Sequence, residues 1–191
     1  MQSSTYGDAL LFLKSHSAGQ TPHVKGTLLS HLEGTYGLLM EWGNPIPLCL
    51  AGLCHAVYGT YGFEKHLLET SQRSTLRSLI GTEAEEITYF YASCDRASVY
   101  PQIGRQAPLW FRDRFTRTEF VPDGQMLKSF LELTFANELE IVRTDPSCVE
   151  PTRAMIGELF ERCESLVSPA AFAYFESFYG PGGRKDGLGS R

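Results

Sequence analysis

Residues 48–58 read LCLAGLCHAVY, an apolar run in which His55 is the one strongly polar side chain. A helix that is apolar on every side belongs in a protein interior, so this segment is predicted to be a buried helix. Pro47 suits the first turn of such a helix, and the Gly-Asn-Pro sequence at 43–45 ends the segment before it. The fold is therefore expected to be built around residues 48–58.

The neighbouring segments show the three- and four-residue spacing of apolar side chains that is typical of amphipathic helices. Residues 24–42 show it clearly, with Leu28, Leu32, Tyr36 and Leu39 on one face. Further helices are predicted over residues 64–71, 73–80, 125–142, 151–167 and 169–179. The sequence thus predicts an all-α fold of six to eight helices, with the first two long helices at its centre.

Two local patterns refine this division. Thr82 and Glu85 have the spacing of a capping box, which predicts that a helix begins there and turns its inner face towards Cys94. Residues 97–124 are rich in proline, aromatic residues and arginine, and are predicted to form a long loop with a hairpin at 115–121. We expect one helical domain over residues 1–179 and a flexible tail over 180–191.

Composition limits the class of protein. The chain has 191 residues, 42% of them hydrophobic, and a net charge of −5, which excludes a disordered chain and disfavours a nucleic-acid-binding surface. No apolar run approaches the roughly 20 residues of a membrane span, and residues 1–7 lack the features of a signal peptide. The five scattered cysteines form no C-x-x-C pair, which disfavours a disulfide framework or a zinc ribbon. A cytoplasmic location is expected.

Three polar residues fall at inward positions of separate predicted helices. His31 borders the apolar stripe of residues 24–42, His55 lies in the buried helix, and Asp95 is expected to point inward at the end of its helix. Two imidazoles and one carboxylate can bind a divalent metal and leave coordination positions open. The alternatives are core histidines bonded to backbone carbonyls, and an ion pair between Asp95 and a nearby arginine.

The segment that contains His55 resembles a known family. Residues 42–60, WGNPIPLCLAGLCHAVYGT, look like the second-helix block of HD-domain proteins, and Cys94-Asp95-Arg96 resembles the Ala-Asp-Arg block of the ppGpp-hydrolase branch. The sequence His-Ala-Val-Tyr-Gly-Thr at residues 55–60 also resembles a divergent HD-like branch of unknown function. The resemblance implies an HD-like helical bundle with His31, His55 and Asp95 as metal ligands.

This chain departs from the HD pattern at Ala56, where the family carries an aspartate that bridges two metals. The resemblance then implies one divalent ion per chain, with Fe, Mn and Zn as the candidates. Two ions close together repel strongly unless a bridging anion lies between them. A second metal is therefore not expected.

The predicted function is a metal-dependent enzyme, either a hydrolase or a non-haem iron oxygenase, that acts on a small polar or anionic substrate. The acidic pair expected after the HD motif is absent, so Glu64, His66 and Tyr58 are the candidates for catalysis. The candidates for substrate binding are Arg96, Thr60 and Arg73. The alternative is a scaffold without catalysis that binds a small molecule or a protein partner.

Two further features have competing interpretations. The arginines of the long loop, Arg105, Arg112, Arg114 and Arg117, either bind an anionic substrate together with Arg96 or pair with the acidic residues of the same loop. Gly34 and Gly37 lie inside a predicted helix, where each costs roughly 1 kcal/mol relative to alanine. They indicate a close approach by another helix or by a ligand near His31.

Overall fold

Helices make up most of residues 2–180, the part of the chain that the computed structural model describes. They are α1 (Gln2–Ser15), α2 (Leu28–Glu41), α3 (Ile46–Cys54), α4 (Arg73–Ile80), α5 (Thr82–Ser93), α6 (Arg96–Val99), α7 (Gly124–Thr144), α8 (Val149–Arg162) and α9 (Pro169–Tyr179). Two short hairpins pair β1 (Pro22–His23) with β2 (Gly26–Thr27) and β3 (Phe111–Arg112) with β4 (Glu119–Phe120). The predicted all-α class is confirmed. Apart from Gly180, the predicted tail lies outside the described residues.

Helix α3 is the buried centre of the fold. Every residue from Leu48 to Cys54 is buried, and the helix contacts α2, α5 and α7. Pro47 occupies its first turn as predicted, but α3 ends at Cys54, earlier than the predicted helix 48–58. Gly59 adopts a φ of +70°, which only glycine takes readily, and the chain turns there. His55 therefore lies directly after α3, at the point where the chain changes direction.

Helix α2 begins at Leu28, four residues later than predicted for the segment 24–42. Thr27 caps it with two reciprocal hydrogen bonds. The Thr27 hydroxyl accepts from the backbone N–H of Ser30, and the Ser30 hydroxyl accepts from the backbone N–H of Thr27. The residues before Thr27 form the β1–β2 hairpin. This hairpin places the His23 ring against the ring of His31 on α2, with 4.3 Å between the ring centroids.

Helix α7 is the longest helix in the described part of the chain, with 21 residues, and it contacts α2, α3, α5, α8 and α9. Asp123 caps its N-terminus by accepting a hydrogen bond from the backbone N–H of Met126. Its buried side chains include phenylalanines and leucines but also Glu132, Asn137, Glu138 and Glu140. Such residues are almost never buried without partners, so the partners of these four α7 side chains need explanation.

Two local predictions are wrong. Residues 64–71 form no α-helix, because the backbone N–H groups of Leu67 and Leu68 donate to the Val57 carbonyl and tie the segment to the end of α3. Only a short 3-10 helix, Thr70–Gln72, follows. The capping box at Thr82 does not form either, since Gly81 is the N-cap and the Glu85 side chain is directed to Arg73 and Arg77.

Residues 97–124 contain more structure than the predicted loop. The hairpin is present, but it begins earlier than the predicted residues 115–121, because its strands pair Phe111 with Phe120 and Arg112 with Glu119. Phe111 is fully buried and stacks on Phe90 of α5, with 4.0 Å between ring centroids, which fixes the hairpin to the core. Across residues 2–180, no helix is both long and apolar enough to cross a membrane.

A fully buried carboxylate, Glu85, ties α4 to α5 and to the turn after α3. Arg73 donates to it twice, at 2.6 and 3.0 Å, Arg77 donates at 2.9 Å, and the Tyr58 hydroxyl donates at 3.0 Å. Burial alone raises the pKa of Glu85, but these hydrogen bonds and the Arg73 charge outweigh burial. The pKa of Glu85 therefore lies below its ordinary value.

We expect the substitution Glu85→Gln to lower the free energy of unfolding at pH 7 by about 1–2 kcal/mol, because it removes the buried counter-charge of Arg73 and Arg77, whose side chains are 30% and 42% exposed and stay partly hydrated. A depressed carboxyl pKa stabilises the folded state above the unfolded pKa, and this contribution is lost as the pH falls through the folded pKa. Urea unfolding at several pH values should show the difference between wild type and variant shrinking from pH 7 towards pH 3. The exposed neighbour Glu86→Gln is the control, and a difference that does not change with pH would contradict the assignment.

Candidate functional site: a cavity at the end of α3

A cavity of about 510 Å³ lies where the turn after α3 meets α6, α7 and α8. Its polar lining is His23, His55, Thr60, Arg96, Tyr100, Asn137 and Glu138, and its apolar lining includes Tyr61, Phe63, Ile141, Met155 and Ile156. Small-molecule sites typically have volumes of roughly 300–1,000 Å³ and combine apolar walls with a few polar groups. The size and the lining of this cavity fit that description.

Three histidines from separate parts of the chain cluster beside the cavity. The His31 ring lies between the other two, with its centroid 4.3 Å from that of His23 and 5.2 Å from that of His55. His23 and His55 line the cavity, whereas His31 is buried behind them. The cluster follows from the fold, because the β1–β2 hairpin supplies His23, α2 supplies His31 and the end of α3 supplies His55.

Both ring nitrogens of His31 face acceptor oxygens. Nδ1 bonds to the Glu140 carboxylate, and Nε2 lies 2.9 Å from Oδ1 of Asn137. The orientation of the Asn137 amide follows from its other contact, because its Nδ2 donates to the Glu138 carboxylate at 3.1 Å and a carboxylate only accepts. Both nitrogens of His31 therefore carry protons, and the ring is a cation paired with Glu140.

The contact with His31 also affects the pKa of Glu140. Burial alone raises the pKa of Glu140, but the hydrogen bond and the charge of His31 outweigh burial and leave the pKa below its ordinary value. The hydroxyl of Thr144 donates to the other carboxylate oxygen at 2.7 Å. Both oxygens of this buried carboxylate are thus satisfied, as a buried charge requires.

His55 and His23 are neutral. The Nδ1–H group of His55 donates to the Gly52 carbonyl at 2.8 Å, which leaves Nε2 without a proton. Burial and the nearby His31 hold the pKa of His55 well below its ordinary value. Burial and the same neighbour lower the pKa of His23 to about 4. The cavity is therefore bordered by two neutral imidazoles, with one cationic imidazole behind them.

Arg96 and Glu138 form a second buried ion pair, in the cavity wall. Nη1 of Arg96 donates to Oε1 of Glu138 at 3.2 Å, and Nη2 donates to the Tyr91 hydroxyl at 2.8 Å. The Arg96 and Glu138 side chains are only 13% and 6% exposed. Through Asn137, this pair is continuous with the His31–Glu140 pair, so one hydrogen-bond network joins α7 to α2, α5 and α6.

Asp95 does not join the histidines, and its expected inward position is wrong. Helix α5 ends at Ser93, and Asp95 instead begins α6, where its side chain accepts a hydrogen bond from the Ser98 backbone N–H. Its carboxylate is 24% exposed and lies 3.6 Å from Nε of Arg112. The physical reason is local, because a carboxylate is stabilised at a helix N-terminus and disfavoured at a C-terminus.

The other predicted site residues separate into two groups. Thr60 and Arg96 line the cavity as expected for substrate binding, together with His55. Four others lie elsewhere: Tyr58 and Arg73 bind Glu85, Glu64 is exposed, and His66 is exposed and lies 2.9 Å from Glu69. Glu64 and His66 lie away from the cavity because residues 64–71 form no α-helix, whereas Tyr58 and Arg73 are held away from it by Glu85.

The arginines of the 97–124 region do not converge. Arg105 pairs with Glu158 on α8, Arg112 lies near Asp95, and Arg114 donates to the Ala92 carbonyl at 2.7 Å. Within residues 2–180 no ion pair links these arginines to the acidic residues of their own loop. Asp113 instead accepts from backbone N–H groups of its own turn and from the Tyr89 hydroxyl. Of the five arginines considered, Arg96 is the one that lines the cavity.

The geometry of the cluster does not fit the metal centre implied by the HD resemblance. Each nitrogen of His31 already has an acceptor partner, so neither has a lone pair to offer a metal. Among the described residues, no group of three or more His, Cys, Asp and Glu side chains is placed to hold a metal ion. The divalent metal stays a prediction.

Sequence patterns did not single out Asn137, Glu138 and Glu140, which hold the cluster together. The available signal was the segment 137–142, NELEIV, in which acidic residues follow an apolar helical stretch. Helical spacing alone places Glu138 and Glu140 on different sides of a helix, which is typical of exposed positions as well. Only the packing of α7 against α2, α5 and α8 shows that both are buried.

Comparisons with known proteins give one finding. Residues 12–96 match the family model of a domain of unknown function, DUF6817, which covers less than half of the chain. Searches of curated proteins and of solved structures gave no significant match. The matched region contains His23, His31, His55 and Arg96, whereas their partners on α7 lie beyond it. The match carries no function, and the HD resemblance stays a prediction.

Gly34 on α2 lies against the Glu140 side chain of α7. A Cβ atom at this position would lie 2.6 Å from Oε1 and 2.8 Å from Cγ of Glu140. A Cβ atom at Gly37, almost one turn further along the same helix, would have no neighbour outside its own helix within 4 Å. The predicted close approach near His31 is therefore confirmed for Gly34 and wrong for Gly37.

We expect Gly34→Ala to displace Glu140 from His31 and to lower the free energy of unfolding by about 1–2 kcal/mol, despite the better helix propensity of alanine. Gly37→Ala is the matched control and should raise the free energy of unfolding by up to about 1 kcal/mol. Urea unfolding of both variants checks the pair. Equal stabilisation by both substitutions would contradict the contact between Gly34 and Glu140.

Proposed function

We propose that this protein binds a small organic molecule in the cavity at the end of α3. The observation that carries the proposal is a pair of acceptor atoms on buried residues of the cavity lining, Nε2 of His55 and Oε2 of Glu138. Neither has a hydrogen-bond partner within the described part of the chain. Neither atom is among the fully buried unpaired polar atoms of the described residues, so both are open to the cavity, where a ligand that donates hydrogen bonds would replace water as their partner.

The state of His55 supports binding over base catalysis. An efficient general base has a pKa near the working pH, and the pKa of His55 is held well below its ordinary value by burial and by His31. At neutral pH its Nε2 is an acceptor of modest basicity. A role in orienting a ligand fits this chemistry better than the removal of a proton.

The metal-dependent hydrolase or oxygenase predicted from the HD resemblance is the second candidate. The observation in its favour is the cluster of His23, His31 and His55, which would have to release His31 from Glu140 and Asn137 before it bound a metal. Elemental analysis of the purified protein for iron, manganese and zinc distinguishes this candidate from metal-free binding.

We expect a screen of small fragments by ligand-observed NMR to give hits that Met155→Trp weakens by at least about tenfold. Met155 lies at the cavity and is 66% exposed, so a larger side chain should obstruct entry without disturbing the core. Isothermal titration of the best hits gives the affinities.

Leu11→Trp is the matched control, because Leu11 is also 66% exposed but lies on α1, outside the cavity lining. It should leave the affinities unchanged. A screen without hits, or hits that respond equally to both tryptophan variants, would overturn the proposed function.

A further inference from the structure

The charges around the cavity cancel. Of the lining residues in the described part of the chain, Arg96 and Glu138 are the ones with permanent charge, and they form an ion pair at 3.2 Å. Behind the lining, the His31 cation is paired with the Glu140 carboxylate. A charged ligand would lose its hydration and find no unpaired counter-charge in return, which disfavours its binding. The arrangement therefore selects against an anionic substrate, which was one of the two interpretations of the loop arginines.

The hydrogen-bonding groups that remain are of both kinds. His55 Nε2 and Glu138 Oε2 are acceptors without partners among the described residues. Nδ1 of His23, Nε of Arg96 and the Tyr100 hydroxyl also lack partners in this part of the chain. All three belong to lining residues but are closed to solvent, so a ligand group reaches them after a small rotation of these side chains. A ligand group that satisfies this end of the cavity must donate hydrogen bonds and also accept them.

Apart from His23, Thr60 and Asn137, the remainder of the cavity lining is apolar. Phe63, Ile141 and Ile156 line its wall. At its edge, Tyr61 is 47% exposed and Met155 is 66% exposed, although both are large and hydrophobic. An apolar ligand body that reached these two side chains would remove apolar surface from water, which is favourable at roughly 25 cal/mol per Å².

We propose that the ligand is an uncharged, amide-like molecule with an apolar body. The polar head lies beside His55, Arg96 and Glu138, where it donates to the free acceptors and accepts from the free donors. The body extends along Ile141 and Ile156 towards Tyr61 and Met155. This assignment of the ligand class rests on the proposed function.

Four probes with the same phenylalkyl body test the assignment by isothermal titration at pH 7.5. They are 4-phenylbutanamide, 4-phenylbutanoate, methyl 4-phenylbutanoate and 4-phenylbutylamine. We expect the amide to bind wild-type protein at least about tenfold more tightly than the carboxylate or the amine, because these two carry charge into a balanced site. The ester accepts hydrogen bonds but cannot donate them, so its affinity should be lower than that of the amide by a factor of about five or more.

Neutralising either member of the Arg96–Glu138 ion pair should change which of the four probes binds more tightly, in a direction that depends on the charge removed. In Glu138→Gln the Arg96 charge loses its counter-charge, so the ratio of carboxylate to amide affinity should rise at least about tenfold. In Arg96→Gln the Glu138 charge is uncompensated, and the amine should gain by a similar factor. Glu158→Gln, which changes an exposed acidic residue on α8, is the control and should leave the ratios unchanged.

The outcomes separate the two proposals. If the carboxylate or the amine binds wild type as tightly as the amide, the ligand class is overturned while the proposed function stands. If neither the four probes nor the fragments bind, the proposed function fails and the ligand class fails with it. Circular dichroism checks that each variant is folded, and the wild-type series decides the ligand class even if a variant at the ion pair does not fold.

Discussion

The pairing of His31 with Glu140 is the interaction on which the arrangement of the site depends. A buried imidazolium is stable only with a counter-charge and with both N–H groups bonded, and Glu140 and Asn137 on α7 supply these requirements. The absence of a side chain at Gly34 lets α7 come close enough to do so. The register between α2 and α7 is thereby coupled to the hydrogen bonds of one histidine.

The same cation influences the groups around it. Together with burial, it lowers the pKa values of His23 and His55, so the two imidazoles that line the cavity are neutral. Asn137 bonds to His31 on one side and to Glu138 on the other, which orients the carboxylate that pairs with Arg96. A buried network of this kind costs stability in desolvation and is retained where it defines a unique arrangement or a binding site.

The site draws on both halves of the chain. The region that matches DUF6817 supplies the three histidines and Arg96, whereas α7 and α8 supply the carboxylates, the amide and the apolar wall. The matched region alone would leave both His31 and Arg96 without their carboxylate partners. The function of the site therefore has to be sought in the complete cavity rather than in the histidine pattern.

The sequence by itself determined the helical class, the burial of α3 and most helix positions, because apolar periodicity reports which faces leave water. It also identified His31, His55, Thr60 and Arg96 as residues of interest. Asp95, Glu64, His66, Tyr58 and Arg73 lie outside the cavity lining, because helix ends and long-range hydrogen bonds decide where such side chains point. Only the tertiary structure decided that Glu140 and Asn137 meet His31, since no local pattern relates residues that are brought together by the packing of two distant helices. That contact gives both ring nitrogens of His31 an acceptor partner on α7.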